Sequence, residues 1–132
     1  MRLAALSVLV LLAACATKPA PQSNPLAGPT WVANEIAGQG VLPRHPATLD
    51  VRSDGSLSGE SGCNGYAGAM TVAGETLSFG DLIATKKACP GEQMEQEARY
   101  FQALGAARRY LLDGVELRLL DEAGATLVLY RR

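Results

Sequence analysis

The chain has 132 residues, with 12 Lys+Arg against 13 Asp+Glu, one His, three Cys and a net charge of −1. A balance this close to neutral argues against a nucleic-acid binder working through phosphate contacts. With 48% hydrophobic and 19% charged residues the chain can build a core and is not a disordered polymer.

The length predicts one small domain, and 14 Gly with seven Pro favour turns and short strands over a helical bundle. Residues 1–14 read as an export signal: Arg2 precedes an apolar run from Leu3 to Ala14 that only Ser7 interrupts. That run is about twelve residues, short of the roughly 20 a spanning helix needs. Leu12-Ala13-Ala14-Cys15 resembles the lipobox of bacterial lipoproteins. The resemblance implies cleavage before Cys15, lipid on its thiol and attachment to a membrane through that lipid. Ala16 rather than Asp after the cysteine implies the outer membrane, facing the periplasm. Residues 15–29, with Pro19, Pro21, Pro25 and Pro29, read as a lipidated cysteine and a proline-rich tether, and the folded domain is expected over 30–132.

Within that domain 30–36 and 47–53 read as strands, the second with Leu49 and Val51 on one face. Ser53-Asp54-Gly55-Ser56 reads as a hairpin turn, and runs over 56–62, 69–72, 76–79 and 82–86 follow. Met94, Ala98, Phe101 and Leu104 recur at three- and four-residue spacing, which predicts a helix over 91–105. Pro90 suits its first turn, and Glu92 and Glu95 at its start with Arg108 and Arg109 past its end complement the helix dipole. Runs over 109–112, 115–120 and 126–130 predict a three-stranded meander with Leu117, Leu119, Leu127 and Leu129 facing inward. Seven to nine short antiparallel strands and one helix predict a mainly β fold, a small barrel-like sheet whose open side the helix covers.

With Cys15 taken by lipid, Cys63 and Cys89 are an even pair in an exported domain, which predicts a disulfide. A metal site is the weaker alternative, since two cysteines and the lone His45 lack paired-ligand spacing; no metal or cofactor is expected. Cys63 as a nucleophile with His45 as base has no sequence support. Gly38-Gln39-Gly40 lacks the third glycine of a phosphate loop, Pro43 standing there. No enzymatic activity is expected.

Trp31, Pro46-Ala47-Thr48-Leu49, Gly62-Cys63-Asn64, Leu77-Ser78-Phe79-Gly80 and Ala88-Cys89-Pro90 occur in an order that resembles the META/HslJ domain over 30–132. The resemblance implies a compact antiparallel barrel with a helix, on bacterial envelope lipoproteins, and the heat-shock name of one branch implies a part in envelope stress tolerance. Gly65 stands where the family usually has Arg. Gly62 to Gly65 read as a rigid corner, and in a functional reading Asn64, Tyr66, Lys86 and Lys87 form a binding rim beside it. The expected function is a monomeric, non-enzymatic, lipid-anchored envelope protein that binds a protein or cell-wall partner. A barrel for an apolar small molecule and an inhibitor of a lytic enzyme are the alternatives.

Overall fold

The computed structural model describes residues 15–18 and 23–132; the expected signal segment 1–14 lies outside them. The described chain is mainly β. In order come β1 (Thr30–Ile36), β2 (Gln39–Gly40), β3 (Thr48–Val51), β4 (Ser56–Glu60), β5 (Gly65–Ala73), β6 (Thr76–Phe79) and β7 (Ile83–Ala84). They are followed by α1 (Gly91–Ala106), β8 (Arg109–Asp113), β9 (Glu116–Leu120) and β10 (Thr126–Arg131). Eight strands run antiparallel in the cyclic order β1, β3, β4, β5, β6, β8, β9, β10, and β10 pairs back with β1 to close a barrel. The two-residue strands β2 and β7 are extra; β2 turns Gly38-Gln39-Gly40 into a hairpin against β1.

Closure leaves the inward positions to fill one core. Trp31, Ile36, Leu49, Leu57, Leu104, Leu117, Leu119 and Val128 are fully buried there. Strand β5 extends through Gly65–Ala73, beyond the expected 69–72, because cross-strand bonds with β4 carry the small residues Gly65, Ala67 and Gly68 that propensity alone does not favour. The barrel is weakest between β6 and β8, which share one residue pair, Thr76 with Arg109.

Three expectations need correction. The inward face of β10 is Val128 and Tyr130, with Leu127 and Leu129 only half-buried, because a bulge beside Leu127 puts two β10 residues opposite one of β9 and so flips the parity. The buried face of α1 is Gln96, Glu97, Tyr100, Ala103 and Leu104, whereas Met94 and Ala98 are exposed. The face is turned because two polar side chains have partners inside. The folded unit also begins before the expected residue 30. Leu26 is fully buried and its carbonyl accepts the Trp31 indole N–H at 2.9 Å, so Asn24 to Pro29 pack on the domain.

The barrel has two dissimilar ends. At one, Asn24 N bonds Ser53 O, Tyr110 Oη donates to Gly74 O and Arg132 N bonds Val115 O. The start of the domain, three hairpin turns and the last residues of β10 therefore gather there. At the other end lie residues 37–47, the corner at 61–64 and the first turns of α1, since Gln96 Nε2 donates to the carbonyls of both His45 and Ser61.

Candidate functional site

The corner is built by side chains that take over main-chain bonds. Gly62 has φ +100°, and a Cβ there would overlap Gln96 Nε2, so the position requires glycine. Ser61 Oγ accepts from Cys63 N at 3.2 Å and Asn64 N at 2.9 Å, and donates to Glu97 Oε1 at 2.9 Å. Asn64 Nδ2 donates to Glu97 Oε2 at 3.1 Å, while its Oδ1 accepts from Thr85 Oγ1 at 2.9 Å and Lys87 N at 2.7 Å. Gln96 Oε1 accepts from Leu42 N at 2.8 Å. Every polar atom of Ser61, Asn64 and the Gln96 carboxamide is thus used, which is what makes their burial tolerable. The Cys63–Cys89 disulfide fastens the same corner to the start of α1. It leaves Cys63 no thiolate, and Cys15 is the free cysteine, exposed.

Behind the corner three phenols join. Tyr66 Oη and Tyr100 Oη lie 2.8 Å apart, as do Tyr100 Oη and Tyr130 Oη, and Thr48 O accepts from Tyr66 at 2.6 Å and from Tyr100 at 3.1 Å. Each phenol has one proton to donate, so Tyr100 bridges its two neighbours, and the Thr48 carbonyl, within reach of both Tyr66 and Tyr100, is the group of the cluster that only accepts. Burial, then the neighbouring phenols, push all three hydroxyls well above the usual tyrosine range. Gly59 is required beside them, because a Cβ would overlap Thr48 O and press on Tyr66 Oη.

The expected rim therefore divides. Asn64 and Tyr66 are buried, at 2% and 4% exposure, with their polar atoms committed internally; Asn64 braces the corner from within, while Tyr66 reaches the surface only as part of a groove lining. Lys86 and Lys87 are exposed, past the end of β7. That groove, of about 500 Å³, lies on the outer face of the barrel. One rung across it is Asp50, Ser58, Ala67 and Ile83, paired strand to strand. Glu60, Gly65 and Thr85 form the next. The floor is small side chains, the carboxylates of Asp50 and Glu60 stand on one side, and Ile83, 79% exposed, stands on the other. Sequence reasoning did not find this groove, because its residues come from four strands and are individually unremarkable serines, glycines and alanines.

Two smaller features bear on the alternatives. Phe79, Leu82, Ala84 and Phe101 line an apolar crevice of about 280 Å³ between α1 and the segment after β6. His45 contributes its carbonyl to Gln96, and Cys63, with which it could have formed a nucleophile pair, is already oxidised. Among the described residues no group of three or more His, Cys, Asp or Glu is arranged to hold a metal, and no helix is long and apolar enough to cross a membrane.

A closed eight-stranded antiparallel barrel with one helix at its side defines the structural class. The chain belongs to the META domain family, whose model matches residues 24–132, starting where Asn24 begins to pack. It is similar to a protein from Burkholderia xenovorans solved by NMR, at 26% identity over 95% of this chain and 99% of that one, with a TM-score of 0.65. A DUF4847 family protein from Bacteroides vulgatus, solved by crystallography, shares the fold at 16% identity over 81% of this chain and 94% of that one, TM-score 0.65. No curated protein matches the sequence significantly.

Proposed function

We propose that this protein is a non-enzymatic, lipid-anchored module of the bacterial envelope that binds a protein or cell-wall partner in the outer-face groove, as part of envelope stress tolerance. The observation that carries the binding reading is the groove itself: a small-residue floor held on a fully bonded frame, with Asp50 and Glu60 on one wall and the chain toward Lys86 and Lys87 leaving the other. Such a surface admits an extended peptide with its main chain close to the strands, and the carboxylates of Asp50 and Glu60 opposite the apolar Ile83 suit a partner carrying an amine beside an apolar group. The anchor reading rests on Cys15, free and exposed ahead of the folded unit. Cys63, the candidate nucleophile, is oxidised, which favours binding over catalysis. The apolar crevice supports small-molecule binding as the second reading, although it is smaller than the roughly 300 Å³ at which ligand pockets begin.

Two measurements test the proposal. The intact mass of protein from native membranes is expected to show cleavage before Cys15 plus acyl chains; an unlipidated mass ends the anchor reading. A photo-crosslinking residue at Ala67 is expected to trap one envelope protein or cell-wall fragment, and Ile83→Asp to abolish the adduct. No adduct, or one indifferent to Ile83, ends the groove reading.

A further inference from the structure

The β8–β9 hairpin breaks the pattern of the barrel. Leu111, Leu112 and Val115 are 50%, 41% and 59% exposed, three large apolar side chains within five positions. Beyond its single pair with β6, β8 runs past the β5–β6 turn, so its outer edge is unpaired at the end where the chain enters the domain, while the other edge of the hairpin stays bonded to β10 as far as Val115. Ser23, Asn24 and Pro25 line a surface crevice with Gly74, and Tyr110 Oη donates to the Gly74 carbonyl. The hairpin and the N-terminal side of the domain thus share one face of the molecule. Around the tip stand Arg118 and Arg131, both paired to Glu116, and Arg132, whose guanidinium lies 5.4 Å from the centre of the Trp31 ring.

We infer that the β8–β9 hairpin docks into the interface of the membrane that carries the Cys15 lipid, as a second point of attachment; this rests on the anchor reading above. The chain from Cys15 to Asn24, at roughly 3.4 Å a residue, reaches no further than about 30 Å, so the domain is held with this end within reach of the bilayer. Apolar side chains at the tip enter the headgroup boundary while the flanking arginines stay at phosphate level. Arg118 and Arg131 are already paired to Glu116, with Asp113 opposite it, so insertion depends on apolar area more than on anionic lipid. The consequence is orientation: the hairpin end faces the bilayer, and the disulfide corner, at the other end, points away from it.

The free thiol of Cys15 allows a test that does not require the cell to lipidate it. The chain from Cys15 on, with its disulfide intact, is coupled through that thiol to a maleimide phospholipid in phosphatidylethanolamine/phosphatidylglycerol vesicles containing dibrominated lipid. A reporter tryptophan is placed by Val115→Trp or, at the opposite end, by Lys87→Trp, against the background of buried Trp31. Quenching is expected to be at least threefold stronger at 115 than at 87, and to fall to the level at 87 when Leu111→Ser and Leu112→Ser are added. All four sites are exposed, and unchanged unfolding midpoints establish that the variants fold. Equal quenching at 115 and 87 overturns the inference, as does a hairpin that is unquenched because copies of the chain pair through it. A failure of lipidation in native membranes would refute the anchor reading and leave the vesicle result to stand by itself.

Discussion

Asn64 is the residue on which most local structure converges. Its carboxamide replaces main-chain partners for Lys87 and a hydroxyl partner for Thr85, and donates to Glu97. Asn64→Ala removes these bonds and strands a buried carboxylate oxygen, at a cost of about 2–3 kcal/mol measured by urea unfolding. The three phenols make a pH prediction. Their hydroxyls are raised in the folded state, so the folded protein keeps them protonated, and the stability this represents is complete below about pH 10, where a free tyrosine ionises. It is lost as pH rises above that value. The urea midpoint is expected to fall steeply above pH 10, with tyrosinate absorbance of these residues appearing only as the protein unfolds, and Tyr130→Phe is expected to shallow the slope. A midpoint flat to pH 11 would contradict the buried network. Trp31 was legible at this scale only through its place in the motif order; its burial and the Leu26 carbonyl that accepts its N–H came from the fold. The roles of Gln96 and Glu97 were not legible, because a polar residue on a helix looks solvent-facing unless the groups it satisfies, 35 and 36 residues away in sequence, are known.

At the scale of elements, periodicity found nearly every strand of the barrel and the helix to within a residue or two, since each is bounded by a turn signal that acts locally. It misassigned two faces. On α1 the apolar spacing of Met94 and Ala98 points to one face, whereas the corner needs Gln96 and Glu97 inside. Strand β10 was drawn one residue out because a bulge leaves no mark in alternation. The corrected parity predicts that Val128→Ala costs about 2 kcal/mol while Leu127→Ala costs well under half that, by denaturant unfolding of both variants; the reverse order would restore the earlier face. The disulfide closes a loop of 26 residues, and chain-entropy arguments make the double variant Cys63→Ser/Cys89→Ser less stable by about 3.5 kcal/mol at 25 °C. An unchanged stability would contradict a denatured chain that gains the freedom of this loop when the bond is removed.

For the whole molecule, the boundary of the domain is the testable point. Leu26 is buried and supplies the acceptor for Trp31, so a chain beginning at Thr30 is expected to be less stable than one beginning at Ser23 by about 2–4 kcal/mol, the scale of losing one large buried side chain and its bond. Equal thermal unfolding of the two would return 24–29 to the tether. The amino-acid sequence by itself determined the class of fold and the family, because these follow from local turn chemistry, short-range periodicity and motif order, and it pointed to the pairing of Cys63 with Cys89 through the count of cysteines left once Cys15 is set aside. Only the tertiary structure decided which faces look inward, that Asn64 is bonded inside the corner, and that an outer groove and an exposed apolar hairpin lie on different parts of the barrel. Each of those depends on which strands become neighbours when the sheet closes, and closure is a property of all the strands together that no single segment carries.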